Sequence, residues 1–354
     1  MNLDKTHTIT NKHLVHLRAL SALVVIFFIL SSKLFSQDIH LSQFNSSPQN
    51  LNPAQTGVFN GDWRFVGNYR SQWAAVPVPY KTFSLSTDTR LKTNLATATP
   101  SLGLLVNNDN SGTSHLTTTQ IYLSGAFIKT LNKDSTHFIS IGIQPGIVTK
   151  SFNANALTFD NQYDGDRYNS ALPSGENFTN TRITYFDMGG GLAYLYRKNQ
   201  RMRINMGMSV LHLTQPNQKF YGSTTDKLKM KTALSALAEF PVSENLDIIP
   251  TVLFQHQGKY NETVAGGFAK YYLTPVNGMS TAISLGAFYR IKDAFIIEAG
   301  ADYMNFNVAV SYDINTSKLI AATNHRGGFE ISIIYIFKKI IPFVAKKRVC
   351  PIYM

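Results

Sequence analysis

Side chains that could carry out chemistry are present, but not in the spacings that known catalytic and metal sites require. The chain has nine histidines and one cysteine, and the patterns H-E-x-x-H, C-x-x-C and G-x-S-x-G do not occur in it. His212 and His256 fall at predicted strand ends, where a surface hydrolase would place a histidine beside a serine or aspartate. Neither comes with a nucleophile motif. The sequence therefore predicts a non-enzymatic protein without a metal or cofactor.

Two further patterns are weak versions of binding motifs. The segment from Asp160 to Asp166 resembles the start of a calcium loop, but Gln162 and Ala171 occupy positions where an EF-hand has oxygen-rich ligands. Loose Ca²⁺ binding there stays open as an alternative. The run Gly189 to Gly191 lies within a predicted strand, which favours a kink or close packing in the interior over nucleotide binding.

The elements that must position these residues are strands, because apolar and polar residues alternate along most of the chain. From Phe306 to Asn315, for example, every second side chain is Phe, Val, Tyr or Ile. Such alternation predicts strands over residues 63–73, 80–91, 101–108, 117–131, 136–150, 182–197, 201–212, 229–241, 246–258, 261–274, 278–292, 294–303, 305–315 and 326–338.

The N-terminus indicates export. Basic residues precede an apolar run from Leu20 to Leu30, and small polar residues follow it up to Ser36, which is the layout of a signal peptide. The run is about 11 residues long, whereas a membrane-spanning helix needs roughly 20, so a helical anchor is the weaker interpretation. Cleavage is expected after Ser36, and the next residue is Gln37 rather than a cysteine that could accept a lipid.

An exported chain with this pattern is predicted to be all-β: a transmembrane antiparallel β-barrel of about 14 strands, preceded by a signal peptide. A half-buried strand of a soluble sandwich shows the same alternation, but the number and spacing of the segments favour a barrel. The mean hydropathy of −0.09 excludes a helical membrane bundle. The sequence divides into a signal peptide (1–36), a periplasmic N-terminal arm (37–62), an outer-membrane barrel (63–338) and a basic periplasmic tail (339–354).

The connections support this arrangement, because bacterial barrels have long external loops and short periplasmic turns. The odd-numbered connections include the longest ones, while the even-numbered ones are mostly short, although two late odd ones are short as well. The longest, 151–181, is rich in Asn, Asp and Tyr and is expected to form an external binding surface.

The phase of the strands assigns charges to the lumen, since a charge facing lipid is costly. Arg64 and Arg70 on the first strand, Asp313 on the thirteenth and Glu330 on the last should all point inward where the barrel closes. We expect them to form a charge-paired network, with a transport path as the alternative. The same phase turns further acidic residues inward: Asp88, Asp187, Glu239, Glu298 and Asp302.

The C-terminal tail is basic. Lys338, Lys339, Lys346, Lys347 and Arg348 occur there without an acidic residue, in a chain of net charge +12. Such a tail could dock an acidic protein or anionic lipid headgroups, or it could simply be solvated. An exported chain is not expected to meet nucleic acid.

Several short motifs occur in an order that resembles the PorP/SprF family of the type IX secretion system. The matches cover nearly the whole chain after the signal peptide. They are Leu51 to Gly57, Arg64 to Trp73, Tyr80, Thr82 to Ser84, Asn108-Asp109 with Gly112, His212-Leu213 with Gln215-Pro216, Ser311 to Asp313, Glu330 to Ser332, and Cys350-Pro351. The family tends to end in Cys-Pro-x-Phe, whereas this chain has Tyr353 and a further Met354.

The resemblance implies an outer-membrane barrel of Bacteroidota that works with the periplasmic ring proteins PorK and PorN and the motor proteins PorL and PorM. It also implies support for the secretion or surface anchoring of cargo with a C-terminal sorting domain, in some members gliding adhesins. An outer-membrane channel for small hydrophobic or polar solutes is the alternative. Motif residues outside the strands are expected to bind partners: Asn52, Pro53, Ala54, Gly57, Cys350 and Pro351.

Overall fold

A computed structural model describes residues 38–72, 80–93, 97–176, 178, 180–199, 201–220, 226–274, 281–317 and 325–339. The chain divides into two units, 1–38 and 39–354, and the second contains the fold described below. The predicted signal peptide lies outside the described residues, as do Cys350, Pro351 and the tail beyond residue 339.

Fourteen antiparallel strands form a closed barrel in which each strand pairs with its sequence neighbours and β1 pairs with β14. The predicted fold is confirmed. The strands are β1 (Trp63–Gln72), β2 (Tyr80–Arg90), β3 (Ala98–Ser111), β4 (Leu116–Thr130), β5 (His137–Ser151), β6 (Arg182–Arg197), β7 (Arg203–Leu211), β8 (Lys231–Pro241), β9 (Leu246–Gln257), β10 (Tyr260–Thr274), β11 (Thr281–Arg290), β12 (Ala294–Tyr303), β13 (Phe306–Asn315) and β14 (Arg326–Phe337).

The predicted boundaries agree with the observed ones to within three residues. Strand β3 begins earlier than predicted because Pro100 takes part in it: its carbonyl accepts a hydrogen bond from Leu91 N, and it is paired with Phe127. Proline is tolerated near the start of a strand, where its missing N–H costs little.

The barrel has two distinct ends. Both β1 and β14 reach the terminal end, which we define by Trp63 and Phe337, and the opposite end is the loop end. The longest connections, 152–181 and 212–230, lie at the loop end, while the turn 304–305 at the terminal end is short. In bacterial barrels of even strand number, both termini face the periplasm.

The outer surface carries the features of a lipid-facing wall. Exposed Leu, Ile and Val side chains cover its middle, and aromatic residues lie near both ends, as at membrane interfaces. The exposed aromatics near the terminal end include Trp63, Phe65, Phe127, Tyr194, Phe240, Tyr271, Tyr303, Phe306 and Phe337, and those near the loop end include Tyr80, Phe83, Phe186, Phe254, Tyr260, Tyr289, Phe295, Tyr312 and Phe329. No helix in the described ranges is long and apolar enough to cross a membrane.

Residues 39–57 lie inside the barrel, and we call them the plug. This corrects the expectation of a periplasmic arm over 37–62. The plug is a chain of short turns: a 3₁₀ turn at Phe44–Ser46, helix α1 at Pro48–Leu51 and a second 3₁₀ turn at Pro53–Gln55. The two prolines suit the first positions of their turns, where no backbone N–H is needed. The plug is buried because its polar side chains find partners on the inner wall.

Candidate functional site: the plug and the lumen wall

The plug runs through the lumen from the loop end to the terminal end. At the loop end, Lys231 Nζ donates to the carbonyl of Ile39 over 3.1 Å. At the terminal end, the backbone N–H of Gly57 donates to Asp88 Oδ2 over 2.6 Å. The chain then leaves the lumen and enters β1 at Trp63.

The loop-end half of the plug is held by a buried charge cluster, which we define as Ser42, Arg70, Arg290, Asp313 and Glu330. The Ser42 hydroxyl donates to Asp313 over 2.7 Å and accepts from Arg70 (2.8 Å) and Arg290 (2.7 Å). Both arginines pair with Asp313, at 3.1 and 3.2 Å. One hydroxyl of the plug thereby joins two cations and one carboxylate of the wall.

Glu330 fixes the plug backbone in the same cluster. Its side chain accepts from the backbone N–H groups of Ser42 (2.8 Å) and Gln43 (3.2 Å), and it lies 3.5 Å from Arg70. Charge-assisted hydrogen bonds of this kind are among the stronger ones in proteins, and Glu330 is 1% exposed. The plug cannot leave this place without exposing several buried charges of the wall.

Three of the four residues expected to form one charge network lie together, and the fourth lies apart. The structure brings Arg70, Asp313 and Glu330 together, whereas Arg64 lies elsewhere and pairs with Asp88 at 2.7 Å. Arg290 belongs to the cluster but was missed. Arg290 is the last residue of β11, and the alternation along that strand turns its side chain toward the lumen. This alternation could have identified it from the sequence.

The terminal-end half of the plug is held by Arg64 and Asp88. Arg64 Nη2 donates to Asp88 Oδ2 and also to the carbonyl of Gln55 over 3.0 Å. Asp88 also accepts from Gly57 N, and Gly57 has the positive φ of 78° that glycine adopts without strain. A Cβ at Gly57 would also collide with Ser101, so the position requires glycine on two counts.

Four residues expected to bind partners, Asn52, Pro53, Ala54 and Gly57, are buried in the lumen. In this structure their contacts are with the barrel. Asn52 Nδ2 donates to the carbonyl of Leu192 over 2.9 Å, and Ser140 donates to the carbonyl of Ala54 over 2.7 Å. Partner binding by these residues stays a prediction, and it would require the plug to move.

Glycines on the wall make room for this part of the plug. A Cβ on Gly142 would lie 2.5 Å from Ala54 N, and one on Gly207 would lie 2.7 Å from Asn52 Nδ2. A Cβ on Gly191 would also collide with Asn52. The interpretation of the Gly189 to Gly191 run as close packing in the interior is confirmed for Gly191, because the Asn52 side chain of the plug lies against the wall there.

Replacing Gly142 by valine should displace the plug, since the new side chain would overlap the backbone of Pro53 and Ala54. We expect a loss of about 2 kcal/mol or more of unfolding free energy, in the range of overpacking costs. The matched control is Gly125→Val on the neighbouring strand, where a Cβ meets only Leu102 at 4.0 Å. Urea unfolding followed by gel mobility compares the two, and equal midpoints would contradict the packing account.

The plug contacts the wall on every side. Its hydrogen bonds reach eleven strands, namely β1 to β8, β11, β13 and β14. Phe44 extends these contacts to the other three, because it belongs to one apolar cluster with Leu253 (β9), Val264 (β10) and Ile296 (β12). The plug therefore stands across the lumen as a bridge between all parts of the wall.

The histidines considered for catalysis have structural partners. His212 Nδ1 lies 2.6 Å from Asp187 Oδ2, which also accepts from the Tyr122 hydroxyl over 2.7 Å. His256 Nδ1 lies 2.6 Å from Asn261 Oδ1 on the neighbouring strand. Within the described ranges, no three His, Cys, Asp or Glu side chains are grouped so as to hold a metal ion.

Glu298 differs from the other inward carboxylates in its lack of a partner among the described residues. Asp88 pairs with Arg64, Glu239 with Arg203 and Asp302 with Lys270. Glu298 lies on β12 between Gly286 and Ser311 of the adjacent strands and is 5% exposed. In the described part of the chain, no hydrogen bond or ion pair engages its carboxyl group. A buried carboxyl without a partner destabilises a fold.

A closed barrel with a lipid-facing apolar belt, aromatic bands at both ends and a polar lumen defines the class of outer-membrane β-barrel proteins. The family model described as "Type IX secretion system membrane protein PorP/SprF" matches residues 33–335. The chain therefore belongs to the PorP/SprF family and is a membrane component of the type IX secretion system. The resemblance seen in the sequence and the outer-membrane location are confirmed.

Solved structures of other outer-membrane proteins are similar to the chain at low identity. A FadL homologue from Pseudomonas aeruginosa is 12% identical, with 81% of this chain and 93% of that chain covered and a TM-score of 0.47. The toluene transporter TodX of P. putida is 10% identical, with 82% and 93% covered and a TM-score of 0.46. The translocator domain of the autotransporter NalP from Neisseria meningitidis is 10% identical, with 83% and 96% covered and a TM-score of 0.32. No curated protein matches the chain.

Proposed function

We propose that this barrel is a non-enzymatic anchor that supports the secretion or surface anchoring of cognate cargo with a C-terminal sorting domain, such as a gliding adhesin. The observation that carries the proposal is the plug. A lumen bridged by hydrogen bonds to eleven strands is not an open conduit, so a secreted protein has to be handled at the ends of the barrel rather than through it.

The loop end supports contact with cargo. Aromatic contacts order the connection 152–181, in which Phe152 packs edge-on against Phe178 of the same connection (5.3 Å) and against Phe220 of the neighbouring loop (5.0 Å). A loop ordered in this way presents a fixed surface at a low entropic cost of binding. If the terminal end faces the periplasm, as the even strand number implies, this surface faces outward.

The terminal end supports contact with an acidic partner, which we propose to be the periplasmic ring of PorK and PorN. Exposed basic side chains outnumber exposed acidic ones among the described residues there. The basic ones are Lys92, Lys129, Lys133, Arg197, Lys198, Arg203, Lys338 and Lys339, against Asp134 and Glu244. Complementary charge steers association and fixes orientation.

The alternative, a channel for small hydrophobic or polar solutes, requires the plug to move. The plug runs from the loop end to the terminal end, and its side chains are bonded to the wall along that length. The wild-type protein should then conduct only when the plug is displaced. Steady conductance of the wild type would indicate a channel, whereas an anchor should not conduct.

Deleting residues 349–354 tests the anchor proposal, because these residues belong to the family signature and follow five basic residues. We expect a barrel that still inserts into the outer membrane, since β14 ends at Phe337, but that no longer supports display of cargo. Surface labelling of cargo and co-purification of the ring proteins measure the effect, with deletion of Met354 alone as the control. Failure of the truncated chain to reach the outer membrane would make the tail an assembly signal and contradict the docking role.

A further inference from the structure

The connection between β5 and β6 contains a cavity with an unusual set of walls. Its volume is about 340 Å³, and it is lined by Thr158, Phe159, Asp160, Tyr163 and Tyr168. Tyr163 and Tyr168 are 59% and 49% exposed. This volume lies in the range of small-molecule sites, and such sites are mostly apolar and aromatic with a few polar groups that select the ligand.

The two tyrosines are held in place by a short hairpin. Tyr163 and Tyr168 form an isolated antiparallel bridge, and the Tyr163 hydroxyl donates to the carbonyl of Gly165 over 2.9 Å. The turn between them is fixed by Asp164, whose Oδ1 accepts from the backbone N–H groups of Asp166 (3.1 Å) and Arg167 (2.9 Å). These amides hold the pKa of Asp164 below its usual range. The aromatic walls are therefore preorganised.

The base of the loop is equally fixed. Gln162 is buried, and its side chain accepts from Phe159 N and donates to the carbonyl of Leu172. Phe159 in turn packs against Phe178 at 5.9 Å between ring centroids. The cavity is thus a formed site and does not depend on a ligand to shape it.

Asp160 is the charged residue among those that line the cavity. Asp164 is committed to its own turn, whereas within the described residues no hydrogen bond or ion pair engages the Asp160 side chain, which is exposed. Three aromatic side chains and a carboxylate that line one cavity are a combination suited to an organic cation, because aromatic rings attract cations and the carboxylate supplies the counter-ion.

We infer that this cavity binds an alkylammonium group. The carboxylate disfavours anions, and aromatic walls disfavour a metal ion, which needs several oxygen ligands. The cation could come from a lysine side chain on the surface of a protein or from a small free amine. The inference goes beyond the proposed function, because the anchor role does not require it and would stand if the cavity bound nothing.

The test uses the full-length barrel in a polyoxyethylene detergent, which carries neither an ammonium group nor a sugar. Binding is measured by calorimetry and by saturation-transfer NMR. The probes are choline, acetyl-lysine methylamide with both termini blocked, the neutral tert-butyl isostere of choline, glucose and calcium chloride. We expect both cations to bind and the neutral isostere to bind at least about threefold more weakly, as the loss of a cation–π contact predicts.

Two variants and one control locate the binding. Tyr163→Leu, which keeps an apolar wall, and Asp160→Asn should each weaken choline binding by at least about threefold, while Tyr260→Leu, an exposed tyrosine at the same end outside the cavity, should leave it unchanged. Tighter binding of the lysine probe identifies a protein ligand, and tighter binding of choline a free amine. Equal affinity for the isostere, binding of glucose or calcium in place of the cations, or no binding at all would overturn the inference.

Discussion

Replacing Glu330 by glutamine should lower the free energy of unfolding by about 3 kcal/mol, within the range measured when one partner of a buried ion pair is removed. Glu330 is the acceptor for two backbone N–H groups of the plug and lies 3.5 Å from Arg70. Glutamine keeps the shape and one acceptor oxygen but removes the negative charge, so Arg70 loses one of its two counter-ions. The midpoint of heat modifiability on gels measures the change.

The matched control is Glu298→Gln, the same substitution two strands away. Glu298 is buried to a similar degree but has no partner in the described structure, so its replacement removes a burial cost and breaks no contact. We expect the unfolding midpoint to stay the same or to rise. If the two variants shift the midpoint equally, the charge cluster does not hold the plug.

Strand positions and their inward faces could be predicted because they depend on local pattern. Alternation over ten residues determines which side chains share a face, and the cost of a charge in lipid determines which face looks inward. That reasoning placed Arg64, Arg70, Asp313 and Glu330 in the lumen. It could not decide which of them pair, because pairing depends on the register of distant strands and on the plug.

The plug could not be predicted because its partners are far away in the chain. Ser42 and Gln43 bond to Glu330 across 288 and 287 positions, and nothing local distinguishes such a segment from a solvated arm. Polar residues in a segment without alternation are typical of exposed chain. The signal that could have found the plug lies in the wall, where Gly142 and Gly207 face inward and leave space for a second backbone.

The direction of the plug also constrains assembly. Ile39 lies at the loop end and Gly57 at the terminal end, so the segment passes through the lumen before β1 begins. Because β1 also pairs with β14 over ten residues, the barrel has to close around a segment that is already in place, or the segment has to thread a closed barrel. The first route needs no opening of paired strands, and it brings Glu330 of the last strand to Ser42 at the moment of closure.

Deleting Leu41 to Thr56 should unblock the lumen, so that the barrel conducts ions. The strand pairing that closes the wall does not involve these residues, so the barrel should still form, and Arg70 and Arg290 would then face water instead of a buried serine. The barrel interior widens with strand number, from about eight strands, where side chains fill it, to roughly 16, where it holds an aqueous channel, so 14 strands should leave room for water once the plug is removed. In planar bilayers we expect steady conductance from the deletion variant and little from the wild type.

A cysteine pair provides the matched control for this experiment. Thr56 Oγ1 and Ser124 Oγ are 3.0 Å apart, so Thr56→Cys with Ser124→Cys places two sulfurs close to bonding distance, and the native chain has only Cys350 besides. The disulfide should form, and the oxidised protein should not conduct. Mass spectrometry detects the disulfide, so this test of the position of the plug remains even if the deletion variant fails to assemble.

Wild-type conductance as high as that of the deletion variant would show that the plug is no barrier. Conductance in the wild type and in the reduced double variant that disappears when the double variant is oxidised would instead favour a channel gated by movement of the plug.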